Sequence, residues 1–170
     1  MNSINDITFQ GLLEYARAKS NLIPSDITLI GEAPGVEEDR WGYPFVGQAG
    51  ELLDDWIDKA SKLLDIRPAI SITNTVCCRP PNNREPEQEE IDTCNQRLLE
   101  FLAIAKPKAI VLVGNVAKSV KQCLSESTAK IFEIRHPSFV MRLDRPDLYV
   151  QNYNKQVTVI CQAIEAVHGG

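Results

Sequence analysis

Four short stretches of the chain hold side chains suited to work on a flat, polar ring. GEAPG (31–35) puts Gly31, Glu32 and Ala33 in one tight turn, with Glu38 close behind. Glycine there lets main chain approach a flat or anionic ligand closely. YPFVG (43–47) adds Phe45, which falls on neither a helical nor a strand period. An aromatic on such a loop can serve as a stacking platform for a base. TNT (73–75) ends an apolar run at Asn74. A carboxamide there offers one acceptor and two donors in a fixed direction, which suits the carbonyl and N–H edge of a pyrimidine. RHPS (135–138) supplies His136, whose imidazole can donate to an oxyanion, and Ser138, whose hydroxyl can bind a phosphate. Each has a plain structural alternative: a strand-to-helix turn, a phenylalanine closing the core, an asparagine capping its own loop, a surface histidine. The other histidine, His168, lies near the C-terminus, so His136 is the stronger catalytic candidate.

The elements around these stretches explain how they meet. DITLIGE (26–32), AISITNTV (69–76), KPKAIVLVG (106–114) and AKIFEIR (129–135) read as strands, each a short apolar run rich in β-branched residues. LLEYARAKSNL (12–22) reads as a first helix. Residues 47–64 repeat apolar side chains at helical spacing, and a helix starting near Glu87 carries acids in its first turn, where the dipole favours them. A last helix runs from about Val150 to Val167. Strands alternating with helices predict a parallel sheet covered on both faces. Ligands of such folds bind beyond the carboxyl ends of the strands. Glu32, Asn74, Gly114 and His136 all stand at or just after those ends, so four distant segments converge on one rim.

The bulk properties narrow the function classes. A length of 170 residues fits a single domain over 1–170, and 44% hydrophobic residues suffice for one core. No apolar run is long enough to span a bilayer. MNSINDITFQ shows no secretory pattern, so a cytoplasmic protein is the expectation, with a monomer as the default state. A net charge of −5 argues against a broad nonspecific nucleic-acid surface, but not against a local basic patch. Five cysteines without a secretory signal are read as reduced thiols.

GEAPG with GYPFVGQAGELLD, SITNTVCCRPPNNREPEQEEIDTC and RHPSFVMR together resemble the family 4 uracil-DNA glycosylases, from about Asp26 to Arg142. The resemblance implies a three-layer α/β/α sandwich around a four-stranded parallel sheet. It also implies cleavage of the bond between uracil and deoxyribose, leaving an abasic site. In its terms Phe45 stacks on the flipped uracil, Asn74 reads O4 and N3, and His136 donates to O2. Gly31 and Ala33 belong to the base-binding turn. Glu32 and Glu38 are candidates for orienting water or shaping the pocket, without a division of labour between them. Arg79, Arg84, Ser138 and Arg142 are the expected DNA contacts. Uracil-containing DNA, single-stranded or G·U-mispaired, is the implied partner, and no membrane is involved.

Two departures accompany the resemblance. The family's four cysteines hold a 4Fe–4S cluster, and Cys78 and Cys94 match two of them. The other pair forms a C-x-x-C near the N-terminus, where this chain reads LLEYARAKS. Two ligands do not hold a cubane, so no cluster is expected and Cys94 is read as core; a 4Fe–4S cluster bound with a substitute ligand, or shared between two chains, is the alternative. The segment between Gly114 and His136 is also shorter than the family's, which carries a basic loop there. A non-cutting binder on the same fold, or an enzyme for another modified pyrimidine, therefore stands as an alternative.

Overall fold

The computed structural model describes residues 25–33, 35, 40, 45–76 and 79–168. Four strands form one parallel sheet: β1 (Ile27–Gly31), β2 (Ile70–Asn74), β3 (Ala109–Val113) and β4 (Lys130–Ile134). Their spatial order is β2-β1-β3-β4, so β1 and β3 are central. Both central strands are buried at every position. That is why ITLIG and AIVLV read as unbroken apolar runs: neighbours lie on both edges and helices on both faces.

Alternation along the strands sorts side chains into two cores. Ile27, Leu29, Ile72, Val111 and Val113 join one cluster with Trp56, Ile160 and Ile164. Those partners come from helices α1 (Gln48–Leu64) and α5 (Pro146–His168). Ile30, Ile110 and Leu112 join the other with Ile91 and Leu98 of helix α2 (Gln88–Ala105). The result is the expected three-layer α/β/α sandwich with a four-stranded parallel sheet. Across the first face, Tyr153 of α5 packs edge-on to Trp56 of α1, and its hydroxyl donates to Asp55 Oδ2 at 2.7 Å.

Local chemistry sets the helix ends. Glu87 caps α2 in a reciprocal capping box with Glu90, so acids at the N-cap and in the first turn satisfy N–H groups at this helix start directly. Helix α5 begins at Pro146, earlier than expected, because proline suits a first helical position. Two short helices were not anticipated: α3 (Asn115–Lys118), and α4 (Pro137–Met141), where a turn was expected. The expected helix over 12–22 lies outside the described residues. Among the described residues no helix is long and apolar enough to cross a membrane.

Candidate active site

The carboxyl ends of the strands supply the floor of a cleft. Gly31, the last residue of β1, stands in register with Asn74, the last of β2. The pairing continues past both strands: Gly31 O accepts from Thr75 N at 2.8 Å and from Thr75 Oγ1 at 2.7 Å, and Glu32 O accepts from Val76 N at 3.1 Å. The Asn74 carboxamide is thus carried on a strand end with no slack, and only 5% of the residue is exposed.

Phe45 sits directly over Gly31. A Cβ added at Gly31 would overlap the Phe45 ring and lie 2.6 Å from Asn74 Oδ1. Behind the ring, a Cβ at Gly50 would overlap the Phe45 carbonyl. Two glycines therefore hold this phenylalanine, one beneath the ring and one behind its main chain. Phe45 itself has φ 54°, a left-handed conformation costly for a bulky side chain. It is 8% exposed and belongs to the first core cluster, yet its ring also lines the cleft. Phe45 thus belongs to the core and to the cleft wall at once.

His136 faces the same ring, with centroids 6.3 Å apart and planes at 30°. It is the N-cap of α4, and its Nδ1 accepts from the Ser138 backbone N–H at 3.1 Å. An accepting Nδ1 carries no proton, so in the neutral ring the proton is on Nε2. The short helix thereby determines which nitrogen can donate.

These groups wall a cleft of about 720 Å³. Glu32, Ala33, Phe45, Asn74, Arg84, His136, Ser138 and Arg142 all line it, with Gly31 beneath the ring. Arg79 does not line the cleft; its Nε donates to Asn83 Oδ1 at 2.7 Å. That bond braces a turn in which Asn82 and Asn83 both take left-handed φ values, 55° and 56°, which asparagine tolerates better than most residues. Arg84 is on the wall but tied down, its Nη1 donating to Glu90 Oε1 at 2.6 Å and to Glu85 O at 3.0 Å. Glu38 lies outside the described residues.

Glu32 is half-buried and lines this space. Burial, and secondarily the negative charge of Glu85, raises its pKa above the ordinary value of 4.5. Glu85 was not singled out in the sequence, nor were Asn115 and Phe139, which also line the cleft. Asn115 follows Gly114 at the end of β3, so the strand-end rule would have found it. Phe139 is 42% exposed, with the Arg135 guanidinium 4.4 Å from its ring centre. An aromatic three residues beyond the histidine was its only signal.

The profile described as Uracil DNA glycosylase superfamily matches residues 19–158. The chain belongs to the uracil DNA glycosylase superfamily. It is 37% identical over 139 residues to the type-4 uracil-DNA glycosylase of Sulfurisphaera tokodaii, covering 78% of this chain and 62% of that protein. For that of Pyrobaculum aerophilum the identity is 35% over 132 residues, covering 74% and 66%. For that of Archaeoglobus fulgidus it is 31% over 170 residues, covering 94% and 80%. The chain thus spans just under two thirds of the first two relatives and four fifths of the third.

In this superfamily member the described cysteines do not gather around a cluster. Cys94 on α2 packs against the second core, and Cys161 on α5 against the first, so the sheet separates them. Cys123 is exposed beyond α3, and Cys77 and Cys78 lie outside the described residues. Among the described residues no three His, Cys, Asp or Glu side chains are grouped to hold a metal ion. The cysteines that are described therefore do not fit a cubane, which takes four thiolates.

Proposed function

We propose that the protein is a uracil-DNA glycosylase, hydrolysing the N-glycosidic bond of uracil in single-stranded or G·U-mispaired DNA and leaving an abasic site for base-excision repair. One observation carries the reading: Phe45, Asn74 and His136, from three separate crossover segments, wall one cleft, with His136 Nδ1 accepting from the Ser138 N–H. Relatives named type-4 uracil-DNA glycosylase support it.

The chemistry follows from where charge develops. Breaking the bond leaves positive charge on the sugar and negative charge on the departing base. His136 Nε2–H is the donor to the uracil O2, where the leaving anion concentrates charge. Asn74 pairs with O4 and N3, accepting at Oδ1 and donating from Nδ2. Phe45 stacks on the ring, worth roughly 1–3 kcal/mol on the scale of single-strand binders. That offsets part of the few kcal/mol needed to bring the base out of the stack. Glu32, half-buried on the cleft wall, is suited to orient water towards the sugar; the water oxygen joins the sugar carbon, its proton passes to the Glu32 carboxylate, and the pair of the broken bond leaves with the uracil anion. Arg142 and Ser138 on the cleft wall, with Arg84 and Arg79 on the rim turn, are assigned to the phosphates. No iron–sulfur cluster takes part in this reading, because only Cys78 and Cys94 match the four cysteine positions of the resemblance.

Incubation with a single-stranded oligonucleotide bearing one uracil, followed by hot alkali, tests the reading. Strand breakage at the uracil is expected. Tight retention without breakage, or release of another base alone, overturns it.

Glu32 gives the reaction a distinctive pH dependence. A water-orienting carboxylate must be ionised, and burial followed by Glu85 raises the pKa at which that happens. We expect kcat/KM to rise with pH through a limb lying above the ordinary carboxylate value. Glu32→Gln should remove the limb, and Glu85→Gln should move it to lower pH. A limb left in place by Glu32→Gln assigns the titration to another group. The same shift has an opposite sense for stability. With the folded pKa above the unfolded one, protonation favours the folded state. This contribution is present below the unfolded value and lost as pH rises through the folded one.

A further inference from the structure

The two strands that deliver Asn74 and His136 are the edges of the sheet, β2 on one side and β4 on the other. Edge strands leave main-chain groups with no strand to pair with. At both edges the last peptide unit is held from outside by one long polar side chain of a covering helix. On β2, the peptide after Asn74 turns its N–H inward to Gly31 O at 2.8 Å. Its outward carbonyl, that of Asn74, accepts from Arg97 Nη2 at 2.8 Å, while Arg97 Nη1 donates to Thr73 Oγ1 at 3.2 Å. On β4, the peptide before Arg135 turns its carbonyl inward to Gly114 N at 2.9 Å. Its outward N–H, that of Arg135, donates to Gln156 Oε1 at 2.9 Å.

The two clamps are mirror versions of one device. Arg97 on α2 is a donor and takes a carbonyl; Gln156 on α5 is an acceptor and takes an N–H. Gln156 is 2% exposed, and its Nε2 has no hydrogen-bond partner among the described residues. A buried amide nitrogen left unpaired is destabilising. A helix optimised only for packing would place an apolar residue there, so the single bond to Arg135 is the feature that distinguishes Gln156. We infer that Arg97 and Gln156 are positioning residues: each fixes the plane of an edge-strand peptide, and so the direction in which Asn74 meets the base and His136 meets O2. Neither touches the cleft. The kinetic part of this inference rests on the proposed glycosylase activity.

The two residues predict separable defects. Arg97→Met frees the Asn74 peptide and should raise KM about tenfold with kcat little changed, the lower range for losing one hydrogen bond to a charged donor. Arg97→Lys, which keeps a donor, should recover part of the loss. Gln156→Leu frees the peptide ahead of His136 and should lower kcat about tenfold with KM little changed, because the oxyanion donor matters only as charge develops. Gln156→Glu, which keeps the acceptor, should restore kcat. Variants that lower the melting temperature and leave both constants unchanged overturn the inference.

A second measurement does not depend on activity. In 15N spectra of the whole chain, Arg97→Met should shift the Asn74 side-chain amide pair, and Gln156→Leu should speed exchange of the Arg135 amide. Unmoved signals overturn the positioning role whether or not the wild type cuts DNA. Moved signals in a protein that does not cut support the positioning role while sinking the glycosylase reading.

Discussion

His136→Ala is expected to slow uracil release by about 10²–10³ in a single-turnover assay, the usual cost of removing one preorganised donor to a developing oxyanion. Preorganisation is the reason for so large an effect. The ring is held between the Phe45 face and the α4 N-terminus, and the Ser138 N–H engages Nδ1. Its remaining donor needs no reorganisation as charge moves onto the base. The substitution also removes an N-cap, which typically costs about 0.5–2 kcal/mol in stability. His136→Asn separates the two effects, since asparagine is a good cap but a shorter donor. It should keep the melting temperature near wild type and still lose most of the rate. Wild-type rates in His136→Asn would remove the imidazole from the mechanism.

Gly31→Ala is expected to abolish most excision, by about 10²-fold or more, while leaving the protein folded. A misplacement of the order of an ångström is enough for such a loss. The added methyl has nowhere to go. It meets the Phe45 ring on one side and Asn74 Oδ1 at 2.6 Å on the other. The strand cannot retreat, because Gly31 is paired to Asn74 of β2 and the four residues before it to both β2 and β3. The Phe45 main chain cannot retreat either, with Gly50 packed against its carbonyl. The side chains must yield, and both belong to the proposed uracil pocket. Far-ultraviolet circular dichroism should be unchanged, since alanine is no worse than glycine in a strand. Adding Phe45→Ala to Gly31→Ala should cost less than the two single losses combined, because the clash with the ring is then gone. Strict additivity, or full activity in Gly31→Ala, contradicts the geometry.

Much of this architecture was legible in the chain itself. The four strands announce themselves as apolar runs at 26–32, 69–76, 106–114 and 129–135, and alternation with helical spacing requires a covered parallel sheet. Crossover topology then brings the strand ends to one rim, so the gathering of Glu32, Asn74 and His136 was predictable without coordinates. The strings around them carried the family resemblance as well. These are local properties, in which each residue's type reports its own backbone environment.

What the tertiary structure alone decided depends on directions and on partners far apart in sequence. The proton on His136 Nε2 follows from a five-residue helix where the sequence suggested a turn, because a capping bond depends on dihedral angles rather than composition. Phe45 is both core and pocket wall because two glycines, one before it and one after, leave room for a left-handed phenylalanine. Folding bonds the arginines of the rim turn, Arg79 to Asn83 and Arg84 to Glu90, so each must exchange a contact to meet the phosphate proposed for it. Arg97 and Gln156 gave no signal at all. Each lies more than 20 residues from the peptide it holds, and a hydrogen bond over that distance exists only once helix and sheet have packed.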